Sequence, residues 1–526
     1  MKKSLGFHLC LSLALSSPGM LNAAAGYVCP KVAPRAIAAY HVPPNPVPGV
    51  WLVTNVADNG PGSLRYAVSN AAPGNTIRFA LRRLPATILL RSTLVIDKDL
   101  TILGPGPRKL FVARTFCAGS PSFRVFRVDA GVVTIAGLSI VNGRALHGDG
   151  FTDNLGGGIF NEGSLTVSNC IIACNAALDE DGGNGFGGGI FTLGPLTVLD
   201  STIRGNKASY AGGGICTFHS DNVRIEGCTI NGNYAGIQGG GVNFQGRNGS
   251  LQNSTISGNR TTEYETASAL LHLVWTNEAS ALDLTACTIA RNCGSTNGAV
   301  VIAALPGNLG SNTRMIGTLV ADNASPNFFL DGNPILQSLG HNLDSDGTSG
   351  LVNGVNGDVV GTPENPLHAR LSPLLNHGGP TWTHALLPGS LALDAGECLT
   401  VDGNPLATDQ RGLPRPQGAA CDIGAFENQP PQVHCPKVHY LQAWDTLIAV
   451  VNDPDGDPMA VVWIADGAAF KTNHLFGTYP PQPRIVTAKA SLPPGDHTIG
   501  LRVSDGKAEA AECSTTVTVC GWRPRL

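Results

Sequence analysis

Aspartates crowd one short stretch of the chain: "NDPDGDP", residues 452 to 458, carries Asp453, Asp455 and Asp457. Alternate carboxylates on a tight turn supply the clustered hard oxygens that calcium favours, and Asp505 in "VSDGK" adds a fourth. Turn chemistry is the simpler reading, because Asp hydrogen-bonds its own backbone two residues on. Two longer insertions, "RALHGDGFTDNL" and "NAALDEDGGNGF", hold His147, Asp149, Asp153, Asp179, Glu180 and Asp181. Such a set suits a cation-assisted contact with a glycan or the remnant of a catalytic groove; its plain alternative is solvated loop carboxylates. A third mixture, Asp409, Arg411 and Asp422, permits catalysis but equally suits Arg–Asp pairing that covers exposed strand ends.

Catalysis on a polysaccharide would make sharper demands. A lyase wants a carboxylate cluster for calcium plus an Arg or Lys base, and a hydrolase wants paired carboxyls at a set separation. The chain repeats itself, so such groups should recur at one outward position of successive units. That position reads Val141, Ala173, Arg204, Asn231, Ser257, Ala290, Ala321, with no carboxylate pair.

The repeat that positions these residues is visible in "LTVSNCIIACN" from Leu165, "LTVLDSTIRGN" from Leu196, "VRIEGCTINGN" from Val223, "SLQNSTISGN" from Ser250 and "LDLTACTIARN" from Leu282. Weaker copies begin at Val133 and Arg314. An apolar column runs Ile140, Ile172, Ile203, Ile230, Ile256, Ile289, Val320, and an asparagine column runs Asn175, Asn206, Asn233, Asn259, Asn292, Asn323. Glycine triplets recur at Gly156, Gly187, Gly212 and Gly239. Apolar residues alternate within each unit, which is strand periodicity. The fold predicted is all-β, a right-handed parallel β-helix (a pectin-lyase-like solenoid) in which each unit is one coil, stacked about 4.8 Å above the last. Asparagines should form an amide ladder and occupy left-handed corners, while glycines turn the backbone or admit close layers. Cys170, Cys228 and Cys287 alternate with Ser201 and Ser254 in a small inward column. Lying two coils apart, they should be buried free thiols.

Both ends of a stack need covers. Residues 51–337 are assigned to the β-helix, beginning with a helical cap in which Ser63 is the N-cap and Leu64, Val68 and Ala71 form the apolar stripe. Residues 338–428 are assigned to a C-terminal cap. "NQPPQVHCP" then leads into a β-sandwich at 429–526, recognised by alternating strands between Asp-Gly and Pro-Gly turns. "MKKSLGFHLCLSLALSSPGMLNAAA" has the pattern of an export signal, residues 1–25, followed by a proline-rich segment to residue 50. With 14% charged residues and a net charge of -4, nothing favours nucleic acid as partner. No later apolar run is long enough to span a bilayer. The export pattern implies a secreted or surface location, a monomer is expected, and the ending "CGWRPRL" holds no cell-wall sorting motif.

The repeats at 133 to 325 resemble those of the polymorphic outer-membrane protein type, with "GGGI" and I-x-x-N, Ile replacing the usual aromatic. Residues Gly378-Gly379-Pro380-Thr381, Asp394-Ala395-Gly396, Asp409-Gln410-Arg411-Gly412 and Asp422-Ile423-Gly424-Ala425-Phe426-Glu427 resemble the C-terminal element of choice-of-anchor Q proteins. There Cys398 and Cys421 flank the "DQRG" loop and are expected to bond. The "CP" start and "CSTTVTV" resemble hyalin-repeat and immunoglobulin-like modules, and that resemblance implies a Cys435–Cys513 pair. Two functions follow. One is a non-catalytic secreted or surface protein that adheres to or binds a polysaccharide or cell-surface component. The other is a polysaccharide lyase or glycoside hydrolase acting on uronate-type polymers. Fold alone does not choose between them.

Overall fold

The computed structural model describes residues 48–115, 120–146, 152–179, 184–262, 267–274, 279–294, 296–304, 310–435, 440–442, 446–479, 481–489, 491–493, 495–507 and 510–520. The expected export signal, most of the proline-rich segment, and His147, Asp149, Glu180 and Asp181 lie outside the described residues. Two compact units divide the chain, 1–367 and 368–526.

The first unit is a parallel β-solenoid. Its described strands build three tall sheets of eleven, eleven and nine strands and a fourth, short sheet of four. In the second tall sheet Ile140 stands beside Ile172, which stands beside Ile203, Ile230, Ile256, Ile289 and Val320 in turn. Every member of that column is fully buried. One short helix, Leu64–Asn70, lies near the start; the Ser63 hydroxyl accepts from the Tyr66 N–H, and Leu64, Ala67 and Val68 are buried. Coil pairing continues beyond residue 337, with Leu343–Asp344 set between Leu319–Ala321 and Val359–Val360.

Buried polar groups in the solenoid are satisfied by repetition. The Asn233 side-chain oxygen accepts from both the backbone and side-chain N–H of Asn206, each at 3.0 Å. Its own amide donates to Asn259 at 2.9 Å and to the Ile203 carbonyl at 2.9 Å. The same bonds recur from Asn175 to Asn323, so each member satisfies its neighbour. The left-handed corner, however, is not at the ladder asparagine. It falls one residue earlier, at Cys174, Gly205, Gly232, Gly258, Arg291 and Asp322. An inward amide in register with its neighbours needs extended backbone, so the preceding residue takes the turn.

The glycine triplets divide two tasks. Gly212 has φ +64°, where a β-carbon is disfavoured. A β-carbon on Gly214 would sit 2.5 Å from the Gly241 carbonyl, so the triplet also admits close layers. The small column is as expected: Cys170, Cys228 and Cys287 are free and buried. Their backbone N–H groups donate to the hydroxyls of Ser201, Ser254 and Thr318 in the next coil. Burial pushes each thiol up to about 12, so these are inert packing groups.

The second unit begins with an irregular segment joined by isolated antiparallel bridges, among them Gly396 with Cys421. A three-stranded and a five-stranded sheet follow, antiparallel except where Tyr440–Gln442 runs beside Ala511–Cys520. They share a core of Leu447, Val451, Val461, Trp463, Val486, Leu501 and Val517. Cys398 bonds Cys421, and Cys435 bonds Cys513. The second bridge closes a separation of 78 residues, which the loop-entropy model values at roughly 4.5 kcal/mol.

Candidate functional site

The short fourth sheet follows the asparagine corner. Its middle residues, Ala145, Ala177, Ala208 and Ala235, are buried, while the flanking register column reads Arg144, Ala176, Lys207, Tyr234 and then Arg260. Because strand residues alternate faces, this column points outward. Cations therefore recur at every second coil, roughly 10 Å apart. The Lys207 ammonium lies 5.5 Å from the centre of the Tyr234 ring, and Tyr210 packs against Phe186 at 4.9 Å between centroids. Arg144 also lies near Arg114, whose pKa is lowered by burial and then by that neighbouring charge. These residues were not singled out in the sequence, although Lys207, Tyr234 and Arg260 each directly follow a ladder asparagine, and Arg144 follows Gly143 at the equivalent place.

The two insertions leave and rejoin the stack in register: Leu146 pairs with Leu178, and Leu155 bridges Phe186. Asp153 is exposed and its carbonyl accepts from Arg124. Asp179 is half-buried, and its carboxylate accepts from the Asn184 N–H at 3.1 Å, closing its own loop. The outward series Val141 to Ala321 is aligned as expected. Ala173 and every member from Ser257 onward are buried, though, so only Val141, Arg204 and Asn231 are partly open. A serine–histidine contact in the interior, Ser280 with His272 at 2.8 Å, is sealed from solvent. The Ser280 hydroxyl donates to the Gly246 carbonyl, which leaves His272 as the donor to serine and removes any base role.

In the second unit Asp453, Asp455 and Asp457 offer carboxylate oxygens within 4.8 Å of one another, all buried. Local turn bonding is present. Asp453 Oδ1 accepts from the N–H groups of Asp455 and Asp457, at 2.9 and 3.1 Å, which is turn chemistry. Its Oδ2 is buried without a hydrogen-bond partner. Asp455 pairs with Arg411 and accepts from the Gln429 N–H, while Asp457 pairs with the buried ammonium of Lys507. Asp505 is 8% exposed, and its charge acts on Asp453 and Asp457. Burial, then the charges of Asp455 and Asp457, push Asp453 up to about 8. His377 Nδ1 lies 3.1 Å from the Asp455 carbonyl and must donate to it; burial holds the ring down at about 4, so it is neutral.

Arg411 does pair with Asp409, at 2.7 Å, and both side chains are fully buried. Asp422 instead accepts from the N–H groups of Asp394 and Asn428, at 2.8 and 2.6 Å, beside an Arg415–Glu427 pair. The three do not form one constellation facing a cleft. They knit the segment internally. No family model matches the chain, and no curated protein and no solved structure matches it significantly.

Proposed function

We propose that the protein is an exported, non-catalytic β-solenoid of the cell surface or its surroundings that binds acidic polysaccharide along the flank of its first unit. The observation that carries this reading is the outward column of Arg144, Lys207 and Arg260 at alternate coils, with Tyr234 between the last two. Solenoid periodicity and polymer periodicity are both one-dimensional, so a regular row of cations suits an extended chain whose negative charges recur. Aromatic rings beside the cations offer flat apolar faces to pyranose rings. The carboxylates of Asp153 and Asp179, in the insertions that leave and rejoin this sheet, would border the surface and admit a bridging cation. Resemblance to choice-of-anchor Q and polymorphic outer-membrane repeats, the export pattern and the Cys398–Cys421 and Cys435–Cys513 disulfides support the location.

Affinity electrophoresis against polygalacturonate, alginate and a neutral glucan tests the reading. Both acidic polymers should retard the protein at low salt, and added salt should abolish the effect. Lys207→Glu should weaken retardation at least tenfold, without altering the solenoid's unfolding. Equal retardation by the neutral glucan, or an unaffected Lys207→Glu, contradicts an acidic ligand. Ultraviolet absorbance from unsaturated uronates released during incubation would overturn the non-catalytic part and favour a lyase.

A further inference from the structure

The turn at Asp453–Asp457 lies where the segment before the linker meets the terminal sheets, within the second unit. Around it five carboxylates, Asp409, Asp453, Asp455, Asp457 and Asp505, are all at most 8% exposed. They face two cations, the guanidinium of Arg411 and the ammonium of Lys507. His377, neutral and donating to the Asp455 carbonyl, adds no charge. Burying several like charges with incomplete compensation is strongly unfavourable. One oxygen marks where compensation is missing: Asp453 is 2% exposed, and its Oδ2 has no partner although Oδ1 accepts two backbone bonds.

We propose that this pocket is a calcium site, in which Asp453, Asp455 and Asp457 bind one ion, with the charge of Asp505 nearby, and that the ion locks the linker segment to the terminal β-sheets. The donors are carboxylates alone, the hard oxygen set that suits calcium and not zinc. A buried cage of protein oxygens also disfavours magnesium, which keeps several of its waters. The oxygens of Asp455 that meet Arg411 and the Gln429 N–H each retain a lone pair for an ion. Lys507 holds part of the ion's place by pairing with Asp457, and its ammonium would turn outward when calcium enters. The ion would then brace the 453–457 turn, whose Asp455 also pairs with Arg411 of the preceding segment and accepts from the Gln429 N–H of the linker. The site stands independently of the glycan reading.

The test is titration of the full, EDTA-treated protein with calcium chloride, followed by calorimetry and thermal unfolding. Binding with one ion per chain is expected, with the second unit's transition rising by several degrees and magnesium producing a much smaller shift. Asp453→Asn keeps an oxygen for both backbone bonds but removes the charge. It should lower calcium affinity at least tenfold while leaving the ion-free transition unchanged or higher. Lys507→Met removes the competing ammonium; it should lower the ion-free transition, and calcium should restore it. No heat and no thermal shift at millimolar calcium in the unsubstituted chain would overturn the site. So would Asp453→Asn binding as tightly as the parent, or Lys507→Met that calcium fails to rescue, because Lys507 alone would then be the structural cation. Should Asp453→Asn fail to fold, the unsubstituted titration and Lys507→Met still decide.

Discussion

The asparagine ladder of the first unit and the aspartate turn of the second handle the same difficulty in opposite ways. Both bury polar side chains at full depth. In the ladder every partner is neutral, either the next copy of the same amide or an isoleucine carbonyl of the stack, so the bonds repeat and no charge enters the core. Around Asp455 each partner is of a different kind and comes from a different part of the chain: the Arg411 guanidinium, the Gln429 N–H and, for its own backbone N–H, the Asp453 carboxylate. Repetition lets a single residue type satisfy itself. A joint assembled once must recruit charges, and it becomes sensitive to their balance.

The largest effect that sharpens this contrast should come from Arg411→Met. It strands Asp409 and Asp455 as buried carboxylates without their shared guanidinium, and breaking a buried pair in this way typically costs about 3–5 kcal/mol. In urea the second unit's transition should move to much lower denaturant while the solenoid's stays in place. A substitution of equal burial in the ladder should do less. Asn233→Ala leaves two N–H groups of Asn206 without their acceptor, which we expect to lower solenoid stability by roughly 2–3 kcal/mol. It should leave the second unit's transition unmoved. Equal losses from the two substitutions would erase the distinction between neutral and charged burial.

Much of the first unit was legible because its physics is written repeatedly. The Ile203 and Asn206 positions are the same residue types in neighbouring coils, since whatever fits one rung fits the next. Left-handed corners were misplaced by one residue: Cys174, Arg291 and Asp322 occupy them alongside glycines, so residue type there does not advertise backbone shape. Lys207 and Arg260 escaped notice because outward positions are under no packing constraint and vary from coil to coil. In the second unit the Asp453–Asp457 turn and the Cys398–Cys421 and Cys435–Cys513 bonds could be read locally or by resemblance. The partners of that turn could not. Arg411 and Lys507 are separated from it by 44 and 50 residues, and only tertiary folding brings them in.

Charge in one unit and neutrality in the other also predict different responses to pH. Burial, then the neighbouring charge of Glu427, raises Asp422 to about 7, whereas the unfolded carboxyl titrates near its ordinary value of about 3.9. Between those values the folded chain holds a proton that the unfolded chain has lost. Stability from this group is therefore fully present below about pH 4 and declines as pH rises to about 7. The ladder amides do not titrate.

Hydrogen exchange, followed peptide by peptide at pH 5 and pH 7.5 in EDTA and corrected for intrinsic exchange rates, compares the two regions in one experiment. The opening free energy of peptides spanning 394–428 should fall at the higher pH, and that of peptides spanning 203–259 should not change. A parallel fall in both, or none in 394–428, would contradict the division between a self-satisfying neutral stack and a joint held by buried charge.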